Sequence, residues 1–307
     1  MSHSSTKVIL AALIGNFLIA ITKFAAAWYT RSSAMLSEGI HSSVDTGNQL
    51  LLLWGMRQAK KPADPRFPFG HGKEIYFWSF VVAILLFSLG AGISFYEGLI
   101  HMLHPTPMEN VFVNYIVLMM AIVFEGGSCY VAFIEFTKVK GDFSLFQAIK
   151  RGKDPTMFVV LFEDIAALLG LVVALIGISI AVYTGDARYD GMASMVIGVL
   201  LGITAILLAY ETKGLLIGES ANPEVVEGIQ TILDKLDSVN HVNEVLTMHM
   251  GPEYILANVS IDFADHLSSD QIEGVVAQLD QQIKATFPLV KRIFIEAEAW
   301  HSPTKNA

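Results

Sequence analysis

Long apolar runs alternate with short polar segments along the first two thirds of the chain. A helix needs about 20 mostly apolar residues to cross a bilayer, and six runs reach that length. The first run is too long for the core of a secretory signal and is followed by a poor cleavage site, so we interpret it as a retained span. The predicted spans cover residues 8–29, 34–56, 78–101, 111–135, 156–183 and 190–210.

In the last third of the chain, apolar residues recur in shorter helix-like and strand-like patterns, which predict a small α+β domain. Asn222-Pro223-Glu224 is typical of a helix start, with a capping residue, Pro at the first helical position and an acid near the positive helix end. The predicted elements are helices over 222–236 and 268–287 and strands over 241–251, 254–263 and 291–300. Period two places alternate residues of the middle strand on one apolar face: Ile255, Ala257, Val259, Ile261 and Phe263. The order α-β-β-α-β predicts a ferredoxin-like sheet-and-helix sandwich.

Charge divides the chain at the same place. Residues 1–213 hold 15 Lys and Arg against 15 Asp and Glu, whereas residues 214–307 hold 5 against 14 and so carry the whole net charge of −9. With 53% hydrophobic residues and a mean hydropathy of +0.52, the chain is too apolar for an ordinary soluble enzyme. We therefore predict an all-α six-helix transmembrane domain at 1–213 and a cytoplasmic domain at 214–307. Nucleic-acid binding would need a basic face, and the sequence indicates none. The single Cys129 allows no internal disulfide.

Basic residues mark one side of the predicted membrane domain. They cluster in the loops after the second and fourth spans: Arg57, Lys60, Lys61, Arg66, Lys73, Lys138, Lys140, Lys150, Arg151 and Lys153. The connections on the other side hold Arg31 and Arg188 alone. Cytoplasmic loops carry the excess of Lys and Arg, so both termini are predicted to be cytoplasmic, in an integral membrane protein of the inner membrane if the source is bacterial.

The second predicted span carries a stripe of polar residues at helical spacing: Glu38, His41, Asp45 and Asn48. His41 and Asp45 lie one turn apart, so an imidazole and a carboxylate can reach one point. These ligands suit zinc and also manganese, iron or cobalt. A structural alternative is that His41 bonds a backbone carbonyl and Asp45 pairs with Lys23. Ionisable groups at membrane depth are costly and usually functional, which favours the cation site.

The fifth predicted span adds two adjacent acids, Glu163 and Asp164. Adjacent helical residues point about 100° apart, so one should face His41 and Asp45 and the other a second polar cavity or partner. A salt bridge is the structural alternative, but a basic residue at matching depth is scarce. Glu125 in the fourth span is either a proton relay or an interfacial residue. Metal and proton compete for the same His and carboxylate atoms, which is a physical basis for exchanging one against the other.

Several motifs together resemble the cation diffusion facilitator family. They are "SEGIHSSVDTGNQLL" in the second span, "DPRFPFGHGKEI" in the next loop, an Asp in the fifth span, "KGLLIGESANPE" after the sixth and the α-β-β-α-β tail. The form "FEDIAALLG" is similar to the branch that includes a mitochondrial-type zinc transporter. The resemblance implies a homodimer in membrane lipid that exports divalent metals, mostly zinc, by proton antiport.

The family's transport site takes two ligands from the second span and two from the fifth, each pair four residues apart. His41 and Asp45 match the first pair, and Asp164 matches one member of the second. Its partner position is Val160, so Glu163, water or another residue must supply a fourth ligand. This departure gives weight to harder metals such as manganese, iron or magnesium, with cobalt and cadmium as further candidates beside zinc.

The resemblance also implies sites outside the membrane. Asp64 and His71 match a peripheral metal site whose middle His is Phe67 here, and Lys73 matches a lysine that pairs with an acid, here Glu219, to steady the dimer. In the tail, ligand positions of the family are occupied by Glu273, Glu296 and Glu298. These glutamates either bind metal or form a solvated acidic surface on a domain that serves mainly for dimerisation.

We predict a secondary active exporter of divalent cations that works by alternating access. It is not an enzyme, it needs no cofactor besides the transported cation, and no nucleotide-binding motif indicates that ATP drives it. Two other classes stay open, namely a metal sensor or scaffold that does not transport, and an intramembrane protease, for which the acids lack a suitable motif.

Overall fold

A computed structural model describes residues 3–140, 147 and 151–300 of the chain. The chain divides into two units, one of Met1–Gln58 with Glu74–Lys213 and the other of Ala59–Lys73 with Gly214–Ala307. The loop at 59–73, which the predicted boundary left in the membrane domain, thus groups with the second unit. Parts of the predicted basic loop, including Lys150, and both chain ends lie outside the described residues.

The first unit is helical, and every predicted span lies within helix. Its helices are α1 (His3–Thr30), α2 (Ser33–Ala59), α3 (Glu74–Leu85), α4 (Gly92–Leu103), α5 (Val111–Lys140), α6 (Pro155–Thr184) and α7 (Arg188–Ile217), with a π-helical turn at Leu86–Ala91 that joins α3 to α4. By length and composition, the described residues contain four helices able to cross a membrane: Glu74–Leu103, Val111–Thr137, Phe158–Thr184 and Arg188–Ile217.

Local sequence signals set the ends of α6, the helix that carries the paired acids. Asp154 caps its N-terminus by accepting a hydrogen bond from the Thr156 backbone N–H at 3.0 Å, and Pro155 takes the first helical position. The helix ends at Gly185, whose φ of +70° is the left-handed conformation that glycine adopts at low cost. Glu163 and Asp164 lie about two turns after the N-terminus of α6.

Small residues let neighbouring helices of this unit approach closely. A Cβ added at Gly98 of α4 would lie 2.6 Å from the Gly191 carbonyl oxygen of α7, and one at Gly198 would lie 2.7 Å from the Phe95 backbone nitrogen. Helix α5 packs along α6 and also contacts α1. Polar side chains of α1 and α6 meet α2, where Lys23 binds Glu38 and Glu163 binds Asn48.

The second unit has the predicted order α-β-β-α-β. Its elements are α8 (Pro223–Leu233), β1 (Val239–Gly251), β2 (Tyr254–Phe263), α9 (Ser269–Thr286) and β3 (Val290–Ala297). The sheet order is β1-β2-β3, with β1 antiparallel and β3 parallel to β2. Helix α8 ends three residues before the predicted position, whereas β2 has the predicted bounds.

The predicted apolar face of β2 forms the core of this unit. Its residues Ile255, Ala257, Val259, Ile261 and Phe263 are all buried. They pack against buried residues of the two helices, Ile229, Leu233, Leu279 and Ile283. Ser268 and Gln271 form a reciprocal capping box at the start of α9. The loop at 59–73 contacts this unit, since a Cβ at Gly72 would lie 2.3 Å from the Met250 carbonyl oxygen.

Candidate cation site

The polar stripe predicted on the second span is buried along one face of α2. The exposed fractions of Glu38, His41, Asp45 and Asn48 are 0%, 0%, 7% and 1%. Burying polar or charged groups is costly unless they are bonded or paired. The partners of these four side chains therefore indicate what the stripe does.

His41 and Asp45 meet across one turn of α2, as their spacing predicts. The His41 Nε2 atom lies 3.5 Å from Asp45 Oδ2. Among the described residues, the two ring nitrogens of His41 have no hydrogen-bond partner. The Oδ1 atom of Asp45 has none there either. The structural alternative, in which His41 bonds a backbone carbonyl, does not hold in the described part of the chain.

Lys23 of α1 pairs with Glu38, and this corrects the alternative in which it pairs with Asp45. Its Nζ atom donates to Glu38 Oε2 at 3.0 Å and to Ser42 Oγ at 2.8 Å. Both charged side chains are fully buried. The pairing with Glu38 leaves Asp45 beside His41.

The two acids of α6 point in different directions, as adjacent helical residues must. Glu163 faces α2, where its Oε1 atom accepts a hydrogen bond from Asn48 Nδ2 at 2.7 Å. Asp164 faces α5, where its Oδ2 atom accepts from Ser128 Oγ at 3.1 Å. Glu125 is also buried on α5. The stripe on α2 is thus met by Glu163, while Asp164 lies in a second polar region against α5.

The four predicted ligands do not form one closed cage in this conformation. Within residues 3–140, 147 and 151–300, no group of three or more His, Cys, Asp or Glu side chains lies close enough to hold a metal ion. His41 and Asp45 are adjacent, and Asn48 links this face to Glu163. Val160, one turn before Asp164, contributes no ligand atom.

Sequence reasoning missed three partners of the polar residues on α2 and α6. Asn48 was recognised on the stripe but not as the residue that binds Glu163, although its position three residues after Asp45 was a usable signal. The pairing of Lys23 with Glu38 and that of Ser128 with Asp164 join helices distant in sequence. No local pattern marks such partners.

The predicted peripheral pair is formed in the loop at 59–73. Asp64 Oδ2 lies 2.9 Å from His71 Nε2, and Asp64 Oδ1 accepts from the backbone N–H groups of Arg66 and Phe67 at 2.8 Å. The hydrogen bond from His71, followed by that from the Phe67 backbone, holds the pKa of Asp64 below its ordinary value. The Phe67 ring lies beside His71, with centroids 4.6 Å apart.

The predicted charge interlock has both of its residues in the second unit. Lys73 Nζ contacts Met248 Sδ at 3.6 Å, and the Glu219 carbonyl oxygen accepts from the His249 backbone N–H at 3.0 Å. The pairing of Lys73 with the Glu219 carboxylate stays a prediction.

The three glutamates of the tail occupy different surroundings. Glu298 Oε2 accepts from Ser260 Oγ at 2.8 Å, so this carboxylate has a structural partner. Glu296 is exposed near the end of β3, and Glu273 lines a groove between α9 and β3 with Asp280. Metal binding by these residues stays a prediction.

Comparison with known proteins gives the family. The Cation efflux transmembrane domain matches residues 9–217. The chain is 36% identical over 284 residues to the "Proton-coupled zinc antiporter SLC30A9, mitochondrial" of Xenopus laevis, covering 90% of this chain and 51% of that protein. It is 34% identical over 260 residues to the human protein of the same name, covering 84% and 46%. It is 25% identical over 283 residues to the "Cation-efflux pump FieF" of Escherichia coli O139:H28, covering 92% and 89%.

The chain spans about half the length of the mitochondrial relatives that it matches. The match to the transmembrane domain covers more than half of this chain, and the resemblance predicted from the motifs is confirmed. With four apolar helices and a three-stranded C-terminal sheet among its described residues, this chain is an integral membrane protein of the cation efflux, or cation diffusion facilitator, family, near the mitochondrial-type branch.

Proposed function

We propose that this protein moves divalent cations, with zinc as the favoured substrate, across a membrane in exchange for protons. The names of its relatives, a proton-coupled zinc antiporter and a cation-efflux pump, support this function. The buried polar stripe of α2 supplies the chemical support.

One observation carries the proposal. From His41 to Asn48 on this stripe, four buried nitrogen and oxygen atoms have no hydrogen-bond partner in the described part of the chain: His41 Nδ1, His41 Nε2, Asp45 Oδ1 and Asn48 Oδ1. Buried polar atoms are nearly always bonded, so such a concentration on one helix face requires an explanation. These atoms have no hydrogen bond to another protein group in that part of the chain. A cation that takes nitrogen and oxygen ligands would supply the missing partner.

We assign His41, Asp45 and Glu163 to the cation-binding set. Asn48 supports the assignment of Glu163, because it binds that carboxylate from a position three residues from Asp45 on the same helix face. The family resemblance assigns Asp164 to the set as well. In this structure its Oδ2 atom accepts a hydrogen bond from Ser128 Oγ on α5 instead.

The donor set favours zinc but does not exclude harder metals. One imidazole with carboxylates is a usual zinc combination. The position four residues before Asp164 is Val160, which has no side-chain nitrogen or oxygen to bind a metal. Carboxylate oxygens therefore make up most of the proposed ligands, which gives weight to manganese, iron, cobalt, cadmium or magnesium.

Proton exchange follows from the same atoms. A His binds metal through its neutral form, and a carboxylate through its ionised form, so protons arriving from the far side would displace the cation. Alternating access of the helix bundle would present these atoms to each side in turn.

The larger architecture in this proposal is a homodimer of six-span subunits with both termini in the cytoplasm. The tail would be a ferredoxin-like dimerisation module in which Lys73 pairs with Glu219. Asp64 with His71, and Glu273, Glu296 and Glu298, are the proposed peripheral and tail metal positions.

Metal-driven proton flux in proteoliposomes tests the proposal. The wild-type protein should couple zinc movement to proton movement, and the same assay with manganese, iron(II), cobalt, cadmium and magnesium gives the selectivity. Asp45→Asn should abolish the flux, because it removes a charge at the site with little change of volume. Glu109→Gln is the matched control, since Glu109 is an exposed acid paired with Arg31 away from the stripe. Absence of coupled flux with every metal would contradict the function, and retained flux in Asp45→Asn would contradict the site.

A further inference from the structure

Lys23 is a fully buried cation inside a bundle that is proposed to bind cations. Its ammonium group donates to Glu38 and Ser42, which use two of its three N–H donors. A buried charge is tolerated only when it is paired. Glu38 therefore determines where this ammonium group rests.

Lys23 lies close enough to the proposed site to interfere with it. Its Nζ atom binds Ser42, the residue that directly follows His41 on α2. Ser42 also lies three residues before Asp45. On a helix, the Cβ atoms of residues at this spacing are about 5–6 Å apart. The lysine stem is flexible, and Asp45 Oδ1 has no hydrogen-bond partner among the described residues. A released ammonium group could thus pair with Asp45.

Glu38 is held firmly in the position that prevents this. Its Oε2 atom binds Lys23, while its Oε1 atom faces Gly170 of α6, where an added Cβ would lie 2.4 Å from it. The carboxylate lies between α1 and α6, and an alanine side chain at position 170 would force it to move.

We propose that Glu38 is a positioning residue that keeps the Lys23 ammonium group away from Asp45, so that Asp45 is free to bind the transported cation. This inference rests on the proposed function. It makes Lys23 a tethered competitor for the site and Glu38 the group that sequesters it.

The test is a pair of variants compared with the wild type by zinc-driven proton flux and by zinc titration of the solubilised full chain. Glu38→Gln should raise the KM and the Kd for zinc about tenfold or more, because a buried pair between Lys23 and Asp45 must be broken for each cation bound. The double variant Lys23→Met with Glu38→Gln should return both constants to within about twofold of the wild type, because the competitor is gone.

A matched control separates this role from general stability. Thr30→Val removes another buried hydrogen bond of α1, that from Thr30 Oγ1 to Asn114 Oδ1 at 2.7 Å, where no charge is involved. It should lower the thermal unfolding temperature and leave the KM unchanged. Gly170→Ala gives a second test with all charges retained, since it displaces the Glu38 carboxylate and should also raise the KM.

The outcomes are distinct. An unchanged KM in a folded Glu38→Gln variant would overturn the inference. A double variant as impaired as the single one would also overturn it, because Glu38 would then act on the cation directly. If Glu38→Gln does not fold, an unchanged KM in Gly170→Ala would overturn it. Absence of zinc-driven flux in the wild type would instead contradict the proposed function.

Discussion

Glu163 and Asp164 are chemically similar neighbours on α6 whose surroundings give them different roles. Glu163 binds Asn48 on the stripe of α2, and Asp164 binds Ser128 on α5. We expect Glu163→Gln to weaken zinc binding by the solubilised full chain more than Asp164→Asn does, because Glu163 already faces the helix that carries His41 and Asp45. Titration of the two variants and the wild type with zinc checks this order. Weaker binding by Asp164→Asn than by Glu163→Gln would assign Asp164 to the site instead.

Asp64 offers a test of pH dependence outside the membrane. The hydrogen bond from His71 lowers its pKa, so its ionised form is stabilised by folding. A group with a lowered pKa contributes stability above its unfolded value, about 3.9 for Asp, and loses it as the pH falls through the folded pKa. We expect the contact between Asp64 and His71 to persist at neutral pH and to be lost only below about pH 4.

Carbon-13 NMR of the Asp64 carboxyl group, assigned by comparison with Asp64→Asn, measures this pKa directly. His71→Ala removes the largest cause of the shift, so the titration midpoint should move upward in that variant. An identical midpoint with and without His71 would show that the backbone N–H groups of Arg66 and Phe67 account for the shift.

Helix packing predicts which glycines are required. Ala at Gly98 of α4 would meet the backbone of α7 at 2.6 Å, so the two helices would have to move apart. Overpacking of this kind costs about 1–3 kcal/mol. Gly126 of α5 has open space where its Cβ would be, and Ala there should leave stability unchanged or raise it by about 0.5–1 kcal/mol through better helix propensity.

Thermal unfolding of the two purified alanine variants compares these positions within one protein. A lower unfolding temperature for Gly98→Ala than for Gly126→Ala is the expected result. Equal temperatures would mean that the close approach of α4 and α7 adds little to stability.

Helices and strands were predictable wherever apolar residues recur with one period along a short stretch of sequence. The apolar runs gave the helices, and alternation over Ile255–Phe263 gave the apolar face of β2, because side chains two residues apart on a strand share one face. The partners across helices were not predictable. The sequence suggested Asp45 as a partner of Lys23, and only the register of α1 against α2 selects Glu38. The π-helical turn at Leu86–Ala91 likewise had no local signal.

At the scale of the whole molecule, net charge divides the sequence at residue 213. The acidic residues in excess all belong to 214–307, while the basic loops flank the second and fourth predicted spans. Because positively charged loops stay in the cytoplasm, the loop at 59–73 and the tail should lie on the same side of the membrane. The loop's inclusion in the second unit agrees with this placement.

Cysteine labelling tests the orientation, since Cys129 is the single native cysteine and can be replaced by Ser. On that background, Thr106→Cys lies in the exposed connection between α4 and α5, and Lys60→Cys lies in the exposed loop after α2. A membrane-impermeant thiol reagent added to intact cells should label the first variant and not the second, because only the basic loop is expected inside. Permeabilised cells provide the control, in which both should react. Labelling of Lys60→Cys in intact cells would reverse the orientation, and with it the direction in which Asp45 would release its cation.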